Sequence, residues 1–428
     1  MSARRSPNRK VQTGSMDLTI HRRVLKECPP FGYVCSCNRE QYLEILTLVR
    51  NCRAHLPFLS FRLLSTVASR SHYQNALDQT FPALPFLPDR AYSDFDTQMK
   101  RIQNLILQLS LVARIKQIFI GSIGQHRVLP SDNVALIIIA NLELLLDNVQ
   151  SKKSSLELSW WKFLDNNPRK AQNLLNNLMK EIRPCSEEFW KNLRNISFHD
   201  FSTLGPGRWL NDEIINYFID KWCSQSRTTL GFSTFFAGTC LFEDKVTCTV
   251  AKPVLTAQDE LRVRRSVNRR QQMLNLKAWD SVFIPIHEGS THWYSARIDF
   301  RLKRIDIYDS LQETCIINRQ KPVSLRKNTN LMLNLMWLTE ILASMRGDTV
   351  CLTNNPGCTW ICDPHSRVPF QPNAFDCGVH TLWHLKHILE YRSVYSGGQD
   401  EVEGFSFSSD MVGKRLRLAM ELLQDRKL

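Results

Sequence analysis

Apolar residues recur at three- and four-residue spacing through the amino-terminal half of the chain, a pattern that predicts amphipathic helices. The predicted helices span residues 40–49, 97–118, 131–149 and 169–182. A proline-rich segment, residues 81–88, separates the first two helices, because proline interrupts a helix. Since no catalytic group stands out in this half, residues 38–185 are interpreted as a mainly helical region of unknown role.

The pattern changes near residues 185–210. Alternating apolar and polar residues predict strands over 293–300 and 304–308, and a short apolar run predicts another over 281–286. The predicted helices of this half are 213–222, with Asn211 or Asp212 as N-cap, then 328–345, 378–391 and 411–423. Helices in runs and strands in runs predict an α+β fold rather than a doubly wound sheet. We therefore expect a flexible basic tail at 1–37, the helical region at 38–185 and a separate α+β domain at 186–428.

The composition fits a chain with a sizeable core, since 43% of its 428 residues are hydrophobic. Arg114, Lys116 and Glu143 interrupt the two most apolar stretches, so we expect no transmembrane helix. The first residues lack the apolar run of a secretory signal. Thirteen cysteines, an odd number at irregular spacing, are typical of reduced thiols. Together these features predict a location in the nucleus or the cytoplasm.

The formal net charge of +14 indicates acidic partners. Basic residues form two clusters: Arg4, Arg5, Arg9 and Lys10 near the start, and Arg262, Arg264, Arg265, Arg269 and Arg270. The first cluster has the composition of a nuclear-localisation signal, which favours the nucleus. Nucleic acid is a partner class that the charge allows but that nothing else in the sequence supports. A solvated basic face explains either cluster equally well.

Cys377 directly precedes a predicted helix and follows the non-helical loop 371–376. The first N–H groups of a helix favour a thiolate and can hold an oxyanion. His292 starts one predicted strand and Asp309 ends its neighbour, and a hairpin turn near 301–303 places position 292 opposite 309–311. The carboxylate can then hold the imidazole in one tautomer. The three residues are the nucleophile, base and orienting group that a cysteine hydrolase requires.

Gln371 lies in the loop before Cys377, where its amide can face a developing oxyanion; removing such a donor typically costs about 3–4 kcal/mol. Each residue alone has an ordinary structural explanation, but the order His–Asp–Gln–Cys favours a catalytic one. His365 is a rival base that lies on the cysteine's own loop and lacks a carboxylate on a paired strand. Three groups have the residue types of metal ligands: Cys35 with Cys37; Cys358, Cys362 and His365; and His380, His384 and His387. None makes a complete ligand set by its spacing, so no metal is predicted.

Four sequence blocks occur in this half in a fixed order: WLNDEII at 209–215; FIPI at 283–286 followed by HW at 292–293; IYDSL at 307–311; and QPNAFDCGV at 371–379. Together, over about 190 to 428, they resemble the ubiquitin-like-protein-specific cysteine proteases, the SUMO (sentrin) proteases with their adenovirus-protease relatives. The resemblance implies a papain-like α+β fold with rearranged chain order, nucleophile last, and makes 186–428 the catalytic domain. It also implies Cys377 as nucleophile, His292 as base, Asp309 as orienting group and Gln371 as oxyanion donor, without a cofactor.

In such proteases two tryptophans form a narrow slot over the substrate's Gly-Gly tail, and Trp209 and Trp293 match those positions. Flat rings beside the scissile bond leave room only for residues without a Cβ. Ala374 and Phe375 depart from the family's usual Gly and Tyr. The resemblance implies a thiol protease that cleaves after the Gly-Gly of a ubiquitin-like modifier, with SUMO preferred. Its partners would be that modifier and its conjugates, in precursor maturation or in deconjugation.

Two alternatives stay open. An acetyltransferase related to bacterial effectors would use the same Cys–His–Asp site, although acetyl transfer needs no slot for Gly-Gly. A catalytically inactive descendant would bind the modifier without cleaving it, although the presence of all four catalytic residue types argues against this.

Overall fold

The computed structural model describes residues 39–83, 91–123, 130–185, 187–191, 193, 196–322, 325–353, 355, 357–366, 368–392, 394 and 411–425. The basic cluster at Arg4 to Lys10 and the Cys35–Cys37 pair lie outside these residues. Contacts within the chain divide it into two compact units, Met1–Trp160 and Trp161–Leu428. The domain boundary that the sequence suggests, between 185 and 186, stays a prediction.

The first unit is helical where it is described, as the apolar spacing predicts. Its helices are α1 (Arg39–His55), α2 (Phe61–Leu64), α3 (Arg70–Thr80), α4 (Ala91–Leu109), α5 (Val112–Ile123) and α6 (Pro130–Asp165), which continues into the second unit. The segment predicted as one helix over 97–118 is two, because the chain turns at Ser110 and Leu111. Helix α1 packs against α4 and α5. The apolar faces meet in a core that includes Leu48, Ile102, Leu105, Phe119 and Leu142.

Two helical stretches of the described chain are long and apolar enough to cross a membrane by length and composition alone. They are Asp94–Ile123, with mean hydropathy 1.4, and Asn133–Asp165, with mean hydropathy 1.5. The core helix of a soluble protein can meet the same criteria. Lys116 and Glu143, two of the charges that interrupt these stretches, form an ion pair with an N–O distance of 3.0 Å. The absence of a transmembrane helix stays a prediction.

The second unit combines helices with one sheet. Its helices are α7 (Pro168–Ile182), α8 (Glu187–Lys191), α9 (Phe198–Ser202), α10 (Asp212–Ser226), α11 (Phe235–Cys240), α12 (Ala257–Met273), α13 (Gln312–Gln320), α14 (Thr329–Arg346), α15 (Cys377–Tyr391) and α16 (Val412–Asp425). Its strands are β1 (Thr229–Gly231), β2 (Ser281–Glu288), β3 (His292–Asp299), β4 (Arg304–Tyr308) and β5 (Ile361–Asp363). The predicted α+β fold, preceded by a mainly helical region, is confirmed.

The five strands lie in sequence order, with β2, β3 and β4 antiparallel and the short outer strands parallel to their neighbours. In the β3–β4 hairpin Ser295 lies opposite Tyr308, and this register places residue 292 level with residue 311, as predicted. The turn contains Lys303 with a φ of 52°. Helix α15 packs against β3 and α10, and α7 packs against α16. The edge of the sheet that carries His292 therefore lies beside the start of α15.

Candidate active site

The histidine and the aspartate meet at the predicted edge of the sheet. The Nε2 atom of His292, the first residue of β3, lies 2.8 Å from Oδ1 of Asp309, which directly follows β4. The backbone N–H of Leu311 donates to the same oxygen at 2.9 Å, which fixes the carboxylate. Because a carboxylate accepts hydrogen bonds, Nε2 carries the proton, and Nδ1 is the nitrogen left to face a thiol.

Cys377 is the first residue of α15, with Asp376 as N-cap, and only 1% of its surface is exposed. Its side chain lies near enough to His292 to help raise the pKa of that imidazole. The thiol therefore lies at the positive end of a helix and beside the imidazole of His292. Cysteine, histidine and aspartate thus lie together, with a hydrogen bond between the histidine and the aspartate.

The electrostatics of His292 follow from this position. Burial lowers its pKa, but hydrogen bonds and charge interactions with Asp309 and Cys377 outweigh burial and raise the pKa to about 9. At neutral pH the ring is therefore an imidazolium held between the aspartate and the cysteine sulfur. An imidazolium in this place can donate a proton to a leaving group as well as stabilise a thiolate.

The loop before Cys377, residues 371–376, is held by side-chain hydrogen bonds. Gln371 Oε1 accepts from Ser310 Oγ at 2.6 Å, and one N–H of Gln371 Nε2 donates to the Asn373 carbonyl at 2.6 Å. The Asn373 Oδ1 accepts the backbone N–H groups of Phe375 and Asp376 at 3.1 and 3.0 Å. Ala374, which stands where the family usually has Gly, is not among the residues with positive φ. The presence of alanine instead of glycine at this position therefore introduces no backbone strain.

The two tryptophans differ in exposure. Trp209 is 50% exposed, and its Nε1 donates to the Ala374 carbonyl at 2.6 Å, so the edge of its ring faces the loop before Cys377. Trp293 is 1% exposed and donates to the Leu210 carbonyl at 2.9 Å. A Cβ on Gly378 would lie 2.9 Å from Leu210 Cβ and 3.3 Å from Trp293 Cδ1, so only glycine fits there. Trp293 thus packs beside Gly378, the residue after Cys377, and contact of either ring with substrate stays a prediction.

The rival base and the metal-like groups have other surroundings. His365 is buried after β5, where burial lowers its pKa, and it is His292 that hydrogen-bonds to Asp309. Histidines 380, 384 and 387 are all buried on α15. Within the described residues, no group of three or more His, Cys, Asp or Glu side chains is arranged to hold a metal ion.

The basic cluster of the second unit lies on α12, a helix that the hydrophobic pattern did not predict. Arg262 pairs with Asp259 at 3.2 Å, Arg264 with Glu260 at 2.8 Å, and the buried Arg270 with Asp220 at 2.6 Å. Arg265 and Arg269 are exposed. Much of the cluster is therefore neutralised within the unit, which weakens its interpretation as a docking face for an acidic partner.

Sequence reasoning missed two residues that hold the site in shape. Ser310 lies inside a quoted block but was given no role, although its hydroxyl fixes Gln371. Arg415 on α16 is fully buried and donates from Nε to Asp376 Oδ1 at 2.9 Å. No local pattern marks Arg415, because its partner is 39 positions away in sequence.

Comparison with known proteins supplies the family. Residues 208–425, about half of the chain, match the Ulp1 protease family, C-terminal catalytic domain. Ubiquitin-like-specific protease 1 of Saccharomyces cerevisiae is 27% identical over 185 residues, 43% of this chain and 24% of that protein. A sentrin-specific protease of Caenorhabditis elegans is 29% identical over 180 residues, 42% of this chain and 21% of that protein. The chain thus matches about a quarter or less of the length of these relatives.

Two solved structures are similar to part of this chain. The C-terminal Ulp1 protease domain in complex with Smt3, the yeast ortholog of SUMO, is 22% identical, with a TM-score of 0.36, over 56% of this chain and 93% of that one. The Chaetomium thermophilum Ulp1-like SUMO protease catalytic domain is 19% identical, with a TM-score of 0.35, over 56% and 90%. The resemblance seen in the four sequence blocks is confirmed by the family match. The chain belongs to the Ulp1 protease family of cysteine-type peptidases, and its residues 208–425 correspond to that family's C-terminal catalytic domain.

Proposed function

We propose that the protein is a thiol protease that cleaves after the Gly-Gly terminus of a ubiquitin-like modifier, with SUMO as the preferred modifier. The observation that supports this most is the set of Asp309, His292 and Cys377, connected by the hydrogen bond of His292 to Asp309 and by the electrostatic interaction of His292 with the cysteine at the start of α15. Each member has the partner that its assigned role needs. An inactive descendant would have no requirement for such a connected set.

In the first half of the reaction the Cys377 sulfur attacks the carbonyl carbon of the terminal glycine. The electron pair of the C=O bond moves to oxygen, and the N–H groups at the start of α15 together with the second N–H of Gln371 stabilise that oxyanion. When the intermediate collapses, the C–N bond breaks and the His292 imidazolium gives its proton to the leaving amine. The products are a thioester on Cys377 and a free amine.

In the second half a water molecule attacks the thioester carbonyl while neutral His292 accepts its proton. The C–S bond breaks, the modifier leaves with a carboxylate terminus, and the thiolate–imidazolium pair is restored. Asp309 accepts the hydrogen bond of His292 Nε2 throughout and keeps that nitrogen protonated, so that Nδ1 performs both transfers. The acetyltransferase alternative differs only in the acyl donor and acceptor, so substrate binding decides between the two.

Selectivity for glycine is assigned to the space between the Trp209 ring and the loop before Cys377. Trp209 is tied to Ala374 by its Nε1 hydrogen bond, so the ring stays close to the scissile bond. A side chain beyond Cα would collide with such a ring, whereas Gly-Gly passes. The basic charge of the chain suits an acidic modifier. We place the enzyme in the nucleus or cytoplasm and prefer the nucleus because of the basic cluster at Arg4 to Lys10.

The test is covalent labelling of the full-length chain with SUMO and ubiquitin probes that carry an electrophile in place of the carboxy-terminal carbonyl. We expect one probe to form an adduct whose modified peptide contains Cys377, with no adduct in Cys377→Ala. The matched control is Cys223→Ala, because Cys223 is also buried but lies on α10, and its labelling should equal that of the wild type.

Other outcomes would contradict the proposal. No adduct with either probe, from a chain shown to be folded, would favour the binding-module alternative. Transfer of a radioactive acetyl group from acetyl-CoA to Cys377 without probe labelling would favour the acetyltransferase. An adduct that persists in Cys377→Ala would place the nucleophile elsewhere.

A further inference from the structure

Arg415 is a fully buried cation on α16, an element that carries none of the residues assigned to catalysis. A guanidinium has five N–H donors in a fixed plane, and burying it is favourable only when those donors are used. The protein supplies one carboxylate and four backbone carbonyls to Arg415. These acceptors belong to two loops that are far apart in sequence.

One set of acceptors lies in the nucleophile loop, residues 371–376, directly before Cys377. Arg415 Nε donates to Asp376 Oδ1 at 2.9 Å, and Nη2 donates to the Phe375 carbonyl at 3.0 Å. The other carboxylate oxygen of Asp376 accepts from Asn373 Nδ2 at 2.7 Å. Since the Asn373 carbonyl in turn accepts from Gln371, the guanidinium is connected by hydrogen bonds to the proposed oxyanion donor.

The other set lies in the slot loop, residues 203–208, directly before Trp209. Arg415 Nη1 donates to the carbonyls of Thr203 and Gly205 at 3.2 and 3.1 Å, and Nη2 donates to the Arg208 carbonyl at 2.6 Å. The two loops also meet where Trp209 Nε1 donates to Ala374. One planar group therefore fixes the distance between the loop that carries Trp209 and the loop that carries Gln371.

We propose that Arg415 is a positioning residue, which assembles the glycine slot and the oxyanion donor around Cys377 by bridging the slot loop and the nucleophile loop. This inference rests on the proposed function and adds a residue to it. His292 and Asp309 are held by the β3–β4 hairpin, and Cys377 by α15. Reactivity of the thiol and binding of the Gly-Gly tail are therefore separable properties of this site.

The test compares Arg415→Gln and Arg415→Lys with the wild type in the full-length chain. Lysine keeps a cation beside Asp376 but has three donors on one nitrogen and cannot span both loops. We expect kcat/KM for a SUMO fusion with a fluorogenic carboxy-terminal amide to fall by about 100-fold or more in both variants, because misplacement of about 1 Å costs that much. Alkylation of Cys377 by iodoacetamide should stay within about threefold of the wild type, since a small reagent needs neither loop.

Lys414→Met is the matched control. Lys414 is the neighbouring buried cation on α16, but it pairs with Asp165 at 2.7 Å, outside both loops. Its removal should lower the melting temperature, as removal of Arg415 should, because each variant removes the buried cation of an ion pair. It should leave the ratio of hydrolysis to alkylation unchanged.

Equal kcat/KM in wild type and both Arg415 variants would overturn the inference. So would a parallel loss of hydrolysis and alkylation, since Arg415 would then act on the thiol. If Arg415→Gln does not fold, Arg415→Lys carries the test by itself. Failure of the proposed function is distinct, because the wild-type chain itself would then neither hydrolyse the SUMO amide nor react with the SUMO probe.

Discussion

At the scale of single residues, His292 is the most informative side chain. Burial alone would make it a weak base, yet its neighbours raise its pKa to about 9. The proton that the proposed mechanism requires is therefore held at neutral pH by Asp309 on one side and Cys377 on the other. The same two contacts predict how the activity depends on pH.

Replacement of Asp309 by asparagine should change both the rate and its pH dependence. We expect kcat/KM to fall about 10²- to 10⁴-fold, because the imidazole loses the group that fixes its tautomer. The wild-type activity should decline as pH rises through about 9, where His292 loses its proton. Since Asp309 raises that pKa, the decline in Asp309→Asn should begin at lower pH. An unchanged basic limb in the pH profile of kcat/KM would contradict this assignment.

A second prediction at the scale of residues concerns the stability of a variant at Gly378. Replacing glycine by alanine inside a helix usually stabilises it by about 0.5–1 kcal/mol. At position 378 the new Cβ would lie 2.9 Å from Leu210 Cβ, so we expect Gly378→Ala to destabilise the second unit by about 1–3 kcal/mol and to lower activity. The control is Gly121→Ala on α5, which has nothing within 4 Å of the new Cβ and should be stabilising. Urea unfolding measures the stability of both variants. Equal changes in unfolding free energy would contradict the packing described at Gly378.

At the scale of elements, α15 contains a line of buried histidines whose ionisation opposes folding. Burial lowers the pKa of His380 to about 4 and lowers that of His384 well below its ordinary value. Asp376 opposes the shift of His380 and Lys414 reinforces it, while His380 and His387 reinforce the shift of His384. The folded chain therefore keeps these rings neutral at a pH where the unfolded chain protonates them.

This predicts a loss of stability as pH falls below about 6.5, the ordinary pKa of histidine. Between pH 7 and pH 5 each such histidine should cost about 2 kcal/mol of unfolding free energy. The variant His384→Leu should lose less stability than the wild type over this interval, as measured by urea unfolding at both pH values. Equal losses in the two chains would show that His384 is already charged in the folded state.

The elements also show which parts of the fold can be predicted from the sequence. The β3–β4 hairpin was predictable because alternation sets the face of each side chain, and the short turn sets the register, which together bring His292 beside Asp309. Helix α12 was not predicted, because its buried positions are few and include Arg270, whose burial depends on Asp220 and the Gly231 carbonyl. The strands β1 and β5 have three residues each, too few for a pattern.

The residues of the candidate site also divide into those that could be predicted from the sequence and those that could not. Cys377, Gln371 and Trp209 lie in blocks with a recognisable local sequence, so their types and order could be predicted. The bridge from Arg415 to two distant loops could not, because it depends on how α16 packs. Likewise, the sequence gives no sign that Trp293 is buried while Trp209 is half exposed.

At the scale of the whole molecule, the extent of the catalytic unit is testable by truncation. Helix α7 precedes the predicted boundary at 185/186, yet it lies in the second unit and packs against α16, with Ala171, Leu175 and Ile182 buried. A fragment of residues 161–428 should therefore be more stable than one of 186–428, by more than about 3 kcal/mol from the lost apolar burial. Since α16 carries Arg415, the shorter fragment should also hydrolyse the SUMO amide more slowly. Equal stability and activity would support the boundary at 185/186.

The central claim is that the Cys377 thiol cuts a modifier directly after Gly-Gly. It is tested most directly by incubating the full-length chain with a SUMO precursor and determining the masses of both products. We predict one product that ends in Gly-Gly and a second that begins at the next residue, with neither formed by Cys377→Ala. Cleavage at another bond, or cleavage that persists in Cys377→Ala, would contradict the mechanism.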